Sequence, residues 1–350
     1  MPTYPSLSLS FEDRITMHLQ ETERRLNSQA WPRSPLVEIL SQSSKPYNGG
    51  EYISEPIEDN YTPTGDAIGE GSVIPVSQPN IATQAMYQPR FFAETAFLDG
   101  IRRDKIMTQG QMGPVLNWVQ ELVDNRGRAA RENLALFICA ATTGTSADGS
   151  TRPQSIFDIV KSSGTCGGIS ATTSTYWAAQ VNSTSSAWSA TGPARFRSTL
   201  RLARRYQGFA GPDVLFASAT TIDAMKATGY TKTTFFRAPD ARDEKVGEVG
   251  DGKWTWTAHA PFDPDAMIDN LPVYYDPHLD ALESSAISTG GILLGINTKA
   301  VYFREAPGMK FRLEPWQKSE QRYGSFTRIM WGGELVACNR SSNILLTNIL

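Results

Sequence analysis

Residues Gly113 to Ala141 read GPVLNWVQELVDNRGRAARENLALFICAA, and this stretch constrains the chain more than any other. Pro114 stands where a first helical residue tolerates proline, because its missing N–H would have no partner there anyway. Val115, Val119 and Leu122 recur at helical spacing, and Leu134, Phe137 and Ala141 repeat the pattern. Gln120, Glu121, Arg128, Ala129, Ala130, Arg131 and Glu132 between them are good helix formers. At about 1.5 Å per residue the predicted helix is about 40 Å long, longer than a typical globular helix. Glu121, Asp124, Arg126, Arg131 and Glu132 exclude a membrane span, since each charge is costly in lipid. Gly127 is the expected weak point, where a bend or fraying would fall.

A chain of 350 residues is long enough for two core-bearing regions. Its formal net charge of −3 argues against a dedicated nucleic-acid binder, which carries a basic excess. It still allows a surface of locally mixed charge to face nucleic acid. Cys139, Cys166 and Cys338 lie far apart, and one would be left over from any pairing. That fits a reducing compartment better than a disulfide framework. The N-terminus has no basic patch followed by an apolar run, and no segment approaches the roughly eighteen consecutive apolar residues of a spanning helix. A soluble protein made in the cytoplasm is expected.

Met1 to Ser10 is short and polar, and Phe11 to Asn27 is a modest amphipathic helix with Ile15, Leu19 and Leu26 on one face. Trp31-Pro32 and Ser34-Pro35 read as an extended stop, so residues 1–35 are expected to be an arm. From Gly49 to Pro89 the chain changes character. Tyr52 to Ile57 and Val73 to Val76 are strand-like runs, and residues 59–71 between them are turn chemistry throughout. Pro56 and Pro75 suit an edge strand and not a central one. With Ile53, Ile57, Ile74 and Val76 as its apolar content, this long hairpin is expected to lack burial of its own, which makes it either a disordered insertion or, as the favoured reading, an arm lying across another surface. Ile81 to Phe97 reads as the returning strand, and Asp99 to Met107 as a helical turn before the long helix.

Thr142 to Thr151 is a Thr/Gly/Ser-rich break and a candidate boundary. A helix from Pro193 to Tyr206, a strand at Pro212 to Ala217 and a helix from Thr220 to Ala227 then indicate an α/β layer. Later strand candidates are 272–275, 291–296, 300–303, 311–314, 325–330 and 333–338, the last of which are expected to return to the long helix.

Chemistry is sparse. His18, His259 and His278 show no metal-ligand spacing, and no cysteine pair lies near them, so they read as ordinary surface or core histidines, and a zinc site would need the convergence of residues distant in sequence. There is no G-x-S-x-G elbow, no Walker loop and no G-x-G-x-x-G opening a helix. Cys166 before Gly167-Gly168 has no base supplied by sequence and reads as a structural thiol. Asp263-Pro264-Asp265 and Asp276-Pro277-His278 read as turn caps. Arg195, Arg197, Arg201, Arg204 and Arg205 surround their helix, as a solvated or intersubunit face would. No catalytic, cofactor-binding or metal residue is therefore assigned, and no cofactor is expected.

The order of segments is informative where the motifs are not. An arm, an extended hairpin opening Gly49-Gly50-Glu51-Tyr52-Ile53, a spine helix and then an α/β region resemble the tailed-phage major capsid proteins of the Hong Kong 97-type fold. Gly167-Gly168-Ile169-Ser170-Ala171-Thr172-Thr173-Ser174-Thr175-Tyr176-Trp177 is similar to a Gly-rich entry ending in Thr-x-x-x-Trp that many of them carry. Pro212 to Ser218 resembles their strand before a helix, and Leu271 to Pro277 with Gly291 to Phe303 the later part of the pattern. The resemblance spans the chain from about Leu36 to its end.

It implies an α+β fold divided into an N-terminal arm (1–35), a peripheral domain (36–153) with extended hairpin loop (49–89) and spine helix (113–141), an axial domain (154–294), and peripheral return strands (295–350). It also implies a non-enzymatic major capsid protein. Such a protein self-assembles as hexamers and pentamers into the icosahedral head of a tailed double-stranded DNA bacteriophage. Implied partners are further copies of itself, a separate scaffolding protein, a portal, a possible decoration protein, and packaged DNA held non-specifically on the inner face, with no membrane. The location implied is the virion capsid, after synthesis in the host bacterial cytoplasm. The competing readings are a nanocompartment shell enclosing cargo, an α/β enzyme with a scattered site, and a tail or decoration protein.

Overall fold

The computed structural model describes residues 34–58, 82–101, 104, 112–145, 151–205, 210–228, 264–285 and 287–350. Ser34 N-caps helix α1 (Pro35–Gln42): its Oγ accepts from Val37 N at 3.4 Å, and Pro35 occupies the first turn. Ser34-Pro35 is thus a helix start, not the expected stop, and Leu36, Val37, Ile39 and Leu40 are buried. After β1 (Lys45–Pro46), strands β2 (Ile53–Glu58) and β3 (Ala82–Tyr87) pair antiparallel, with Ile53 opposite Tyr87 and Glu58 opposite Ala82. Val73–Val76, Phe11–Asn27 and most of the turn expected at 99–107 lie outside the described residues. Gln88-Pro89 divides the expected returning strand in two, proline having no N–H for a ladder, and β4 (Arg90–Asp99) follows. The long helix α2 runs Met112–Ile138, beginning one residue before the expected start and ending three before the expected end. It is continuous through Gly127, where a Cβ would lie 3.8 Å from Ile329 Cδ1 of the underlying sheet.

Ser155 caps α3 (Ile156–Ile159), and β5 (Thr165–Cys166) and β6 (Ile169–Ser170) form a tight hairpin. Its turn residues Gly167 and Gly168 have φ of +58° and +80°, the left-handed pair that a type I′ turn demands. Next come β7 (Gln180–Asn182), α4 (Trp188–Ala203), β8 (Val214–Ala217), α5 (Ala219–Ala227), β9 (Ala266–Ile268), β10 (Leu271–Tyr275) and α6 (Pro277–Asp280). The chain closes with β11 (Gly291–Ile296), β12 (Val301–Glu305), β13 (Arg312–Leu313), β14 (Gln317–Lys318), β15 (Gly324–Ala337) and β16 (Ile344–Ile349).

One sheet is organised around β15, which pairs with β4 from Gly324 to Gly333 and, on its other side, with β12, β13 and β14. The long helix lies on this sheet. Val119, Leu122 and Val123 pack with Ala96, Leu98, Leu313 and Trp316, and Arg126 Nη1 reaches Glu94 Oε1 at 3.1 Å. Phe92 stacks on Trp331 at 5.5 Å between centroids and meets Phe137 edge-on at 5.7 Å.

The second sheet has the order β7-β16-β11-β8-β10-β9. Its central strands are near-continuous apolar runs because both faces are covered. Val214, Phe216, Ile292, Leu294 and Ile296 join α1, α2 and the first sheet's Phe303, Trp331 and Leu335 in one core. Leu215, Ala217, Leu293, Ile344 and Leu346 face Trp188, Phe196, Leu200, Ile222 and Met225 of α4 and α5. The last strand, β16, is one for which the sequence offered no candidate, the expected strands ending at Cys338. β16 pairs with β11 and β7 and so completes the second sheet. Ile344-Leu345-Leu346 carries apolar side chains to both faces and needs a slot buried on both. Among the described residues no helix is long and apolar enough to cross a membrane.

Candidate functional site

Alternation in β2 sends Ile53, Glu55 and Ile57 inward and Ser54, Pro56 and Glu58 outward. Glu55 is only 4% exposed in the middle of that apolar face. It is held there because its carboxylate accepts from Tyr302 Oη at 2.9 Å and from Arg304 Nε at 2.6 Å. Burial and the Glu55 charge push the Tyr302 hydroxyl well above its usual range, and the bond to Glu55 raises Arg304. On the partner strand Tyr87 Oη donates to Ala337 O at 2.8 Å. Met86 N donates to Gly167 O at 2.9 Å, and a Cβ on Gly167 would lie 2.7 Å from Ala85 Cβ. The β5–β6 turn therefore needs glycine both for its φ and for the approach of β3.

These contacts correct part of the sequence reading. Ile53 and Ile57 belong to the subunit's own main core with Ala85 and Tyr87, so the hairpin is rooted at home. Residues 59–81, which include Ile74 and Val76, lie outside the described residues. Tyr52 and Met86 are half-exposed at the root.

A second constellation joins α1, α2 and α6. Asp276 caps α6, its Oδ1 accepting from His278 N at 3.0 Å, as the turn reading expected. The same carboxylate accepts from Ser34 Oγ at 2.6 Å and Leu36 N at 3.2 Å, and it meets His278 Nδ1 at 2.9 Å. His278 Nε2 meets Glu132 Oε1 of α2 at 2.9 Å. The imidazole is thus clamped between two carboxylates; although burial disfavours its charge, these two partners leave its pKa raised. Cys139 completes the group, with Sγ within 4.8 Å of ligand atoms of Asp276 and His278. A cavity of about 330 Å³ opens beside it, lined by Glu132, Leu136, Cys139 and His278 among others. Burial, with Asp276 and Glu132 nearby, pushes the thiol well up. As a nucleophile it would need a ring nitrogen of His278 to take its proton, and both already face carboxylates, Nδ1 that of Asp276 and Nε2 that of Glu132.

The other predicted positions separate. His18 and His259 lie outside the described residues, as does Asp263; Asp265 Oδ2 accepts from Tyr275 N at 2.8 Å. Cys166 is buried beside Tyr87 and Gln154, and burial raises its pKa. Arg195 departs from the expected solvated or intersubunit face. It is buried and donates to Asn182 Oδ1 and O, Ser186 Oγ and Thr347 O, fastening α4 to β7 and β16. Arg197 stays on the surface, paired with Asp269 at 3.0 Å. Sequence reasoning missed the Glu132–His278–Asp276 clamp and the place of Cys139, since 146 residues separate the first two. The one local signal was a polar Glu55 inside an alternating apolar run.

No protein-family model and no curated protein matches the sequence. Solved structures do match. The Cyanophage A-1(L) capsid asymmetric unit aligns over 93% of this chain and 95% of that one, with a TM-score of 0.54 and 12% identity. The chain has the Hong Kong 97-type capsid fold. A structure of Mycobacterium phage Ogopogo agrees, over 94% of this chain and 98% of that one, with a TM-score of 0.51 and 12% identity. At such identity the likeness is one of fold.

Proposed function

We propose that the protein is the major capsid protein of a tailed double-stranded DNA bacteriophage, assembling as hexamers and pentamers into the icosahedral head. The observation that carries this is the near end-to-end match, in both directions, to a chain of a cyanophage capsid. In this reading residues 36–153 and the strands from 295 to 337 form the peripheral domain, and 154–294 with β16 the axial domain. The hairpin loop (49–89) would serve as an intersubunit arm, and its root is held by Glu55, Tyr87 and Gly167. The role is structural and not enzymatic, which agrees with a raised Cys139 thiol and a His278 whose ring nitrogens are both occupied. A separate scaffolding protein, a portal and a decoration protein would be partners in assembly. Packaged DNA would lie against the inner face of the virion shell after synthesis in the host cytoplasm.

Deleting residues 59–72 tests the hairpin. The subunit should stay folded by circular dichroism while shell yield or heat resistance falls, and particles unchanged in both would contradict the intersubunit arm. Density for packed DNA inside native particles supports a phage head; enzyme cargo in its place would assign the shell to a nanocompartment.

A further inference from the structure

The geometry points to a zinc site formed by Cys139, Asp276 and His278 at the junction of α2 with α6. All three are buried, and one ligand atom from each lies within 4.8 Å of the others. Thiolate, imidazole and carboxylate together suit a borderline-soft ion of tetrahedral habit. The supporting shell is also built. Glu132 accepts from His278 Nε2, which leaves Nδ1 directed at Asp276 and fixes the ring for coordination through that atom. Ser34 Oγ and Leu36 N hold the other Asp276 oxygen. The adjoining cavity is lined by Cys139 and His278 and bounded by a half-exposed Leu136, which supplies an entry path and room for a water as fourth ligand.

Binding replaces two protons by one cation. The Cys139 thiol proton and the proton shared between His278 Nδ1 and Asp276 leave to solvent, while the Nε2 proton stays on the Glu132 hydrogen bond. The ion would tie the end of the long helix to a turn 137 residues further along the chain. The site stands on side chains of this subunit alone and does not depend on the capsid reading.

The test uses the full-length protein, stripped with a chelator and titrated with cobalt(II) and then zinc(II). One metal per subunit is expected, with a thiolate-to-cobalt charge-transfer band that Cys139→Ser abolishes. Glu132→Gln should weaken binding about 10–100-fold. Should Cys139→Ser fail to fold, zinc-edge X-ray absorption on the wild-type protein decides, with one sulfur at about 2.3 Å and one imidazole expected. No stoichiometric uptake, a charge-transfer band that survives Cys139→Ser, or a zinc shell without sulfur would each overturn the assignment. The three residues would then form only a hydrogen-bonded clamp.

Discussion

Replacing Glu55 by alanine tests whether the hairpin root is part of the subunit's own core. The carboxylate is almost fully buried and accepts two hydrogen bonds, from Tyr302 Oη at 2.9 Å and Arg304 Nε at 2.6 Å. Hydrogen bonds to a charged group contribute roughly 1.5–3 kcal/mol each, and a buried hydroxyl left unpaired costs about 1–3 kcal/mol. Tyr302 is 2% exposed and has no access to water as a replacement. The Arg304 side chain is a quarter exposed and keeps its bond to Pro46 O, so its share is discounted for solvent. The net loss expected is about 2–4 kcal/mol. Urea unfolding of the unassembled protein, followed by tryptophan fluorescence, measures it. Ser54→Ala is the control: Ser54 sits one residue away on the outer face, where its Oγ meets Gln84, and its loss should stay within about 0.5 kcal/mol. A Glu55→Ala loss no larger than that of Ser54→Ala would refute a buried, charge-fastened root.

Four further outcomes are expected. Gly168→Ala, at φ +80° with open space around it, should cost about 1–2 kcal/mol; Gly167→Ala, which adds contact with Ala85, should cost about 1–3 kcal/mol more by the same denaturation. Burial pushes Glu334 up to about 8, against the opposing bonds from Gln154 N and Leu335 N. The folded state therefore binds this proton more tightly than the unfolded chain. Stability from it is full below the ordinary glutamate value and is lost as pH rises towards 8. Glu334→Gln should flatten the fall in Tm between pH 5 and pH 9, removing a term on the order of 2–5 kcal/mol. Leu122→Pro, inside α2, should cost about 3 kcal/mol or more and abolish particles on a sizing column.

What sequence could and could not reveal follows from the range of the interactions. The long helix was legible because its signal is local: apolar periodicity, good helix formers and Pro114 at the start predict it to within three residues. Gly127 does not interrupt the helix, which runs through this position of weak propensity. Ser34-Pro35 was misread although its signal was local too: a serine cap, proline in the first turn and Leu36, Val37, Ile39 and Leu40 behind it. The pairing of β2 with β3 across residues 59–81, and the entry of β16 into the second sheet, depend on partners distant in sequence and left no local trace. The burial of Arg195 was hidden by the four arginines that follow it, and is explained only by Asn182, Ser186 and Thr347 meeting around it. The Cys139–Asp276–His278 group likewise has no spacing rule, because the long helix brings one member to the other two.

Electron microscopy of the purified full-length protein, expressed alone and together with the products of its neighbouring genes, addresses the capsid reading most directly. Closed shells built from hexameric and pentameric capsomers are expected. A protein that stays a small oligomer under all of these conditions, or forms only rings or open tubes, would contradict it.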